Sequence, residues 1–121
     1  MWYCAHAIFY FRYEGQPSYR LHENVYLIQS DTAEAAWQRA EILAREQEVS
    51  SEDGHLEVDG NKATYHFAGI RKLIEAQVDS GKEKTPLEAG IELTYSIMVV
   101  DSFSAVERLA KGEETTVLYE E

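Results

Sequence analysis

The chain has 121 residues with 22 acidic against 11 basic side chains, a formal net charge of −11, and a single cysteine. That length suits one domain spanning 1–121 with a single core, and the 45 % hydrophobic content argues against disorder. The negative field disfavours nucleic acid as a direct partner, one cysteine excludes an internal disulfide, and no apolar run approaches the roughly 20 residues of a membrane helix. The N-terminus lacks the basic start and apolar core of a secretory signal, so the expected location is the cytoplasm.

The first predicted element is a strand over residues 2–13, "WYCAHAIFYFRY". Period-two alternation puts Tyr3, Ala5, Ala7, Phe9, Phe11 and Tyr13 on one side, which reads as core. The other side carries Trp2, Cys4, His6, Ile8, Tyr10 and Arg12, neither cleanly polar nor cleanly apolar. "EGQPS" is a turn, and "LHENVYLIQS" (21–30) is the return strand of a hairpin.

The period then changes to helical over about 32–48. Asp31 with Glu34 three positions on predicts an Asp variant of the capping box. Ala33, Ala36, Trp37, Ala40, Leu43 and Ala44 make an apolar stripe, so the helix should lie on the sheet. Glu41 and Arg45 have the favourable order for a helical ion pair.

"SSEDG" and "DGN" bracket a weak strand, "HLEVD". Residues 63–78 read as strand, interruption at Gly69, strand, since an isolated glycine in such a pattern marks a bulge or bend. Residues 79–90 read as a charged, mobile loop. "IELTYSIMVVD" (91–101) alternates, with Ile91, Leu93, Tyr95, Ile97 and Val99 on one side. Asp101 or Ser102 caps a short helix over about 102–110 that Gly112 ends, and "TTVLYEE" closes as a strand. The fold class is α+β: an antiparallel sheet of about five to seven strands with one long helix on one face and a short C-terminal helix.

The initial "MWY" strand, "ENVYLIQSDTAEAAWQRAE", "YHFAGIRKLIE" and "GIELTYS" together resemble a small bacterial family known as domain of unknown function 4288. The resemblance covers roughly residues 1–97. It implies a small α+β fold and a bacterial origin; it implies no activity and brings no catalytic residues. Residues 98–121 depart from the family's pattern as an added helix and strand.

No complete catalytic motif is present, and no catalytic residue, metal ligand set or cofactor is assigned. Cys4 and His6 lie about 7 Å apart on one strand face, too far for a nucleophile–base contact and without the spacing of a metal site. Arg71 and Lys72, adjacent in a strand, point to opposite faces and read as edge protection, with anion recognition by Arg71 and Arg12 as the alternative. The candidate binding residues are Trp2, His6, Tyr10, Arg12, His66 and Arg71. Trp2, Tyr10, Tyr26, Ile28 and Met98 could form an apolar patch on the sheet face away from the long helix, to be covered by a partner, a second protomer or residues 102–121.

Three functional readings follow. The first is a non-enzymatic interaction module that holds a protein partner on an acidic and aromatic surface, in one version an immunity-like or accessory protein for a basic partner. The second is a small-ligand-binding domain or minor enzyme using the face of Cys4, His6, Tyr10, Arg12 and His66. The third is a self-associated, homodimeric structural domain.

Overall fold

The computed structural model describes residues 1–50, 56–76 and 92–120. The "SSEDG" turn, Ile91 and the loop expected at 79–90 lie outside the described residues. The elements are β1 (Trp2–Arg12), β2 (Tyr19–Gln29), α1 (Ala33–Ser50), β3 (Glu57–Val58), β4 (Asn61–Lys62), β5 (Thr64–Ala76), β6 (Glu92–Val100), α2 (Phe103–Ala110) and β7 (Leu118–Glu120). Five strands form one antiparallel sheet in the order β5-β1-β2-β6-β7, and β3 pairs with β4 separately. This is the α+β architecture expected from the alternating and helical periods.

The β1–β2 hairpin is closed by its own loop chemistry. Gly15 takes the positive φ of 76° that the turn requires. The Gln16 side chain then stands in for missing backbone partners. Its amide nitrogen donates to the carbonyls of Phe11 and Ser18 at 3.0 and 3.1 Å, and its oxygen accepts from the Tyr13 N–H at 3.0 Å.

Register decides which side chains share a face. Tyr3 opposes Ile28 and Ala5 opposes Tyr26, so the odd residues of β1 and the even residues of β2 lie together beneath α1. There Tyr3, Ala5, Ala7, Phe9, Tyr26, Ile28 and Ile70 pack against Ala36, Ala40 and Ala44, all buried. Alanines every four residues let the helix axis approach the sheet closely. The expected apolar patch therefore divides: Tyr26 and Ile28 belong to the core under α1, on the face opposite Tyr10 and Met98.

Two details of α1 differ from the sequence reading. Thr32 rather than Asp31 is the N-cap: its hydroxyl accepts from the Ala35 N–H at 3.1 Å and its carbonyl from the Ala36 N–H at 3.0 Å. Glu34 thus occupies the second helical position and has no capping-box role. Ala33 and Trp37 also leave the core. Trp37 lies about 60° round the helix from Ala40, past the edge of the sheet, and stays 38 % exposed.

The opposite face is covered by α2. Ile8, Leu21, Met98 and Val100 pack against Ala105, Val106, Leu109 and Ala110, with Tyr10 and Phe103 at the margin. Ser102 caps the helix, accepting from the Ala105 N–H at 3.2 Å. A Schellman closure ends it at Gly112 (φ 78°), with Glu113 N–H donating to Arg108 C=O and Gly112 N–H to Leu109 C=O.

β5 runs unbroken past Gly69, with irregular register against β1 on either side of that glycine, at Ala68 and Arg71. Gly69 serves close approach: a Cβ there would stand 3.2 Å from the Ala110 carbonyl oxygen. On β6 the residues that are buried are Met98 and Val100. Leu93 and Tyr95, expected on the apolar side, are exposed because α1 packs over β5, β1 and β2 and does not extend across β6. Among the described residues no helix is long and apolar enough to cross a membrane.

Candidate functional site

The six residues singled out from sequence separate into three groups. Tyr10 and His66 oppose each other across β1 and β5, and their rings stack at 5.2 Å. Phe103 of α2 meets Tyr10 edge-on at 5.3 Å, and the Arg12 guanidinium lies over Phe103 at 5.5 Å. Arg12 is thereby an aromatic cap. The anion pair of Arg12 with Arg71 is not assembled.

Arg71 belongs to the second group, with His6. The irregularity in β5 interrupts strict alternation at Arg71, whose Nε and Nη2 both reach Glu23 Oε1, at 3.0 and 2.5 Å. His6 Nδ1 approaches the same oxygen at 2.8 Å. Glu23 is 6 % exposed, so these contacts compensate a carboxylate withdrawn from water between Leu21 and Val25 of its own strand. Glu23 escaped the sequence reading because an acid in a hairpin strand resembles a solvated position. The available signal was its parity: Leu21, Val25 and Leu27 are its same-face neighbours. Trp2, half-buried, stands at the far end of β1, separate from both groups. Cys4 is a half-buried free thiol, and no cluster of three metal-ligating side chains occurs among the described residues.

Altered ionisation follows burial. Withdrawal from water raises the Tyr65, Tyr26 and Tyr10 phenols above their ordinary value, with the Arg12 charge partly opposing the shift at Tyr10. Burial, reinforced by the Arg20 charge, lowers His22. His22 lies among the rings of Phe11, Tyr65 and Tyr95. Tyr65 Oη and His22 Nδ1 lie 3.4 Å apart, and the shifts of these groups match desolvation.

A concave feature lies at the outer edge of β5, where α1 and α2 flank the sheet from its two faces. A groove of about 500 Å³ has Phe67, Ala68, Gly69 and Ile70 as its floor, Trp37 and Glu41 on one wall, and Phe103, Val106, Glu107 and Lys111 on the other. A second hollow of about 540 Å³ shares Trp37 and Glu41 and continues along α1 to Glu34, Gln38 and Leu73. Glu48 Oε2 accepts the Phe67 N–H at 2.6 Å, closing one edge donor of β5. Arg45 places its guanidinium 5.4 Å from the Phe67 ring centre, so its charge is directed there and not into the expected Glu41 pair. Sequence reasoning missed the groove because it placed Trp37 in the core and could not order the strands. The signal for it was Trp37 between Glu34 and Glu41 on one helical flank.

The family model described as Domain of unknown function (DUF4288) matches residues 2–89, well over half of the chain. The chain belongs to the DUF4288 family. The match holds β1 to β5 and α1, and ends short of β6, α2 and β7; the resemblance read to residue 97 extended further. Within the DUF4288 match lie Glu34, Trp37, Glu41 and the groove floor, whereas the α2 wall lies outside it. No curated protein and no solved structure matches the chain.

Proposed function

We propose that this DUF4288 chain is a non-enzymatic protein-interaction module whose partner docks at the edge of β5, in the groove between α1 and α2. The observation that carries the reading is the groove itself. Among the described residues no cation is stacked on its Trp37 ring, whereas Arg45 and Arg12 stand over Phe67 and Phe103; Glu41, Glu107 and Lys111 line the groove, and Glu34 joins Trp37 and Glu41 in the adjoining hollow. An apolar floor supplies area, and an acidic rim selects a basic partner and speeds its approach. The net charge of −11 adds long-range attraction of the same sign. An immunity-like or accessory role toward a basic partner is one concrete form of this proposal, and a cytoplasmic setting is a further part of it, resting on the single cysteine.

The test is affinity capture with the tagged full chain from its own cells, eluted with increasing salt. A stoichiometric basic protein released by salt supports the reading. Its unchanged retention by a Glu34→Gln, Glu41→Gln, Glu107→Gln variant argues against the groove as the interface, and retention of no other protein by the unaltered chain at low salt overturns the reading.

A second reading, self-association, is favoured by the far side of the sheet. Tyr95 of β6 and Leu118 of β7 are 58 and 68 % exposed on the face that α1 leaves open, and Leu93, at the register irregularity of β6 against β2, is 48 % exposed. Sedimentation equilibrium at two concentrations separates a dimer from a monomer, and Tyr95→Lys should dissociate a dimer built on that face.

A further inference from the structure

We propose that Glu34, Trp37 and Glu41 form a receptor for an arginine side chain carried on an extended, basic segment of a protein partner. This rests on the interaction-module reading and deepens it. The three residues sit at i−3, i and i+4 on α1, the spacing that brings side chains to one flank of a helix. Trp37 belongs to both hollows, and Glu41 does too; Glu34 belongs to the outer one.

Each of the three is available in a way the fold explains. The N-cap role falls to Thr32, which leaves Glu34 out of any capping box. Arg45, the basic residue one turn after Glu41, is drawn over Phe67. Among the described residues no ion pair engages Glu34 or Glu41, and no cation is stacked on Trp37. An exposed indole is the strongest aromatic platform for a cation, and carboxylates on either side of it add attraction of the same sense. A guanidinium suits the site better than an ammonium because it can lie flat on the indole while its N–H groups donate to carboxylates at its edges.

The shape of the groove favours an extended occupant. Its floor is the outer edge of a strand, and its walls are the two layers on either side of that strand. A helix of 10–12 Å diameter would have to stand off such an edge, whereas an extended backbone rises about 3.3 Å per residue alongside β5. From Phe67 to Leu73 the edge accommodates a segment of about seven residues on that rise. The irregular register at Ala68 and Arg71 and the Glu48 cap on Phe67 N–H limit continuous ladder pairing. Side chains, and above all the arginine on Trp37, would therefore set the affinity.

The experiment titrates the full ¹⁵N-labelled chain with a capped seven-residue peptide of alternating arginine and valine, with lysine–valine and glutamate–valine peptides in parallel. Expected is saturable movement of the Trp37 indole N–H resonance and of the Phe67–Leu73 amides, with the Trp2 indole unmoved. The lysine peptide should bind more weakly and the glutamate peptide not at all. Trp37→Ala and the Glu34→Gln, Glu41→Gln pair should each weaken the arginine peptide by about tenfold. Trp37→Phe, which keeps a ring, should fall between and guards against loss of fold in the alanine variant. An unmoved Trp37 resonance, or equal affinity in the Gln pair, overturns the proposal. A natural partner captured equally by the chain and by Trp37→Ala would overturn this receptor while leaving the interaction-module reading intact; failure of the unaltered chain to capture any partner overturns that reading.

Discussion

Replacing Arg71 with methionine removes the cation from a carboxylate that has almost no access to water. Glu23 is 6 % exposed and receives Arg71 through two nitrogens and His6 through one. Breaking a buried pair by deleting one partner costs roughly 3–5 kcal/mol, because the remaining charge is left uncompensated. The lower end applies here, since a quarter of the Arg71 side chain stays in contact with solvent and His6 remains beside Glu23. A loss of about 3 kcal/mol, at a urea dependence of about 2 kcal/mol/M for a domain of this size, lowers the denaturation midpoint by about 1.5 M. The companion variant carries Glu23→Leu together with Arg71→Met, so that no buried charge is left. It should recover most of the loss, as apolar replacements of buried pairs commonly do. Urea unfolding followed by tryptophan fluorescence and far-ultraviolet dichroism at pH 7 measures both. A single variant within about 0.5 kcal/mol of the unaltered chain, or a double variant no better than the single, would refute the account of Glu23 as a buried charge held by Arg71.

Three further outcomes follow from the geometry. Gly112→Ala forces a positive φ and sets a Cβ 2.9 Å from the Arg71 carbonyl, so it should cost about 2 kcal/mol, more than Gly69→Ala, whose nearest contact is 3.2 Å; thermal unfolding ranks the two. Thr32→Ala should destabilise by about 1 kcal/mol and Asp31→Ala by much less, with amide exchange in the first turn of α1 reporting the difference. His22 is lowered by burial, so the unfolded chain binds a proton more readily below the ordinary value of about 6.5. The contribution of His22 is therefore fully present above that pH and declines as pH falls below it. In His22→Phe, urea midpoints compared at pH 7 and pH 5 should show a smaller decline.

Local periodicity carried the strands, both helices and the core on the odd side of β1, because period two and period 3.6 are written in consecutive residues. Ser102 and Gly112 were likewise legible from cap chemistry. Pairing across the sheet was not. Tyr26 and Ile28 were assigned to the wrong face because their side is fixed by registration against Ala5 and Tyr3, which no local window contains. The same limit hid the partner of His6 and Arg71, since Glu23 reaches them only through the side-by-side placement of β2, β1 and β5. Trp37 was misplaced for another reason: a helical stripe is drawn wider than the sheet that receives it, and its outer residue became the wall of a groove. Leu93 and Tyr95 show the converse, a clean alternation whose apolar side no layer of the described residues covers.

The closure of the second sheet face by α2 separates inheritance from folding in this molecule. Ile8 and Leu21 lie within the stretch shared with the family, yet the side chains that shield them, Met98, Val106 and Leu109 among them, come from beyond it. A fragment cut at residue 89 would present Ile8 and Leu21 to water and would also lose the strand that flanks β2. Such a fragment should aggregate or remain partly molten, and adding back a peptide spanning 92–120 should restore cooperative melting. In this chain the family-matched stretch thus leaves one sheet face to be closed by residues beyond it, and those residues also build one bank of the groove.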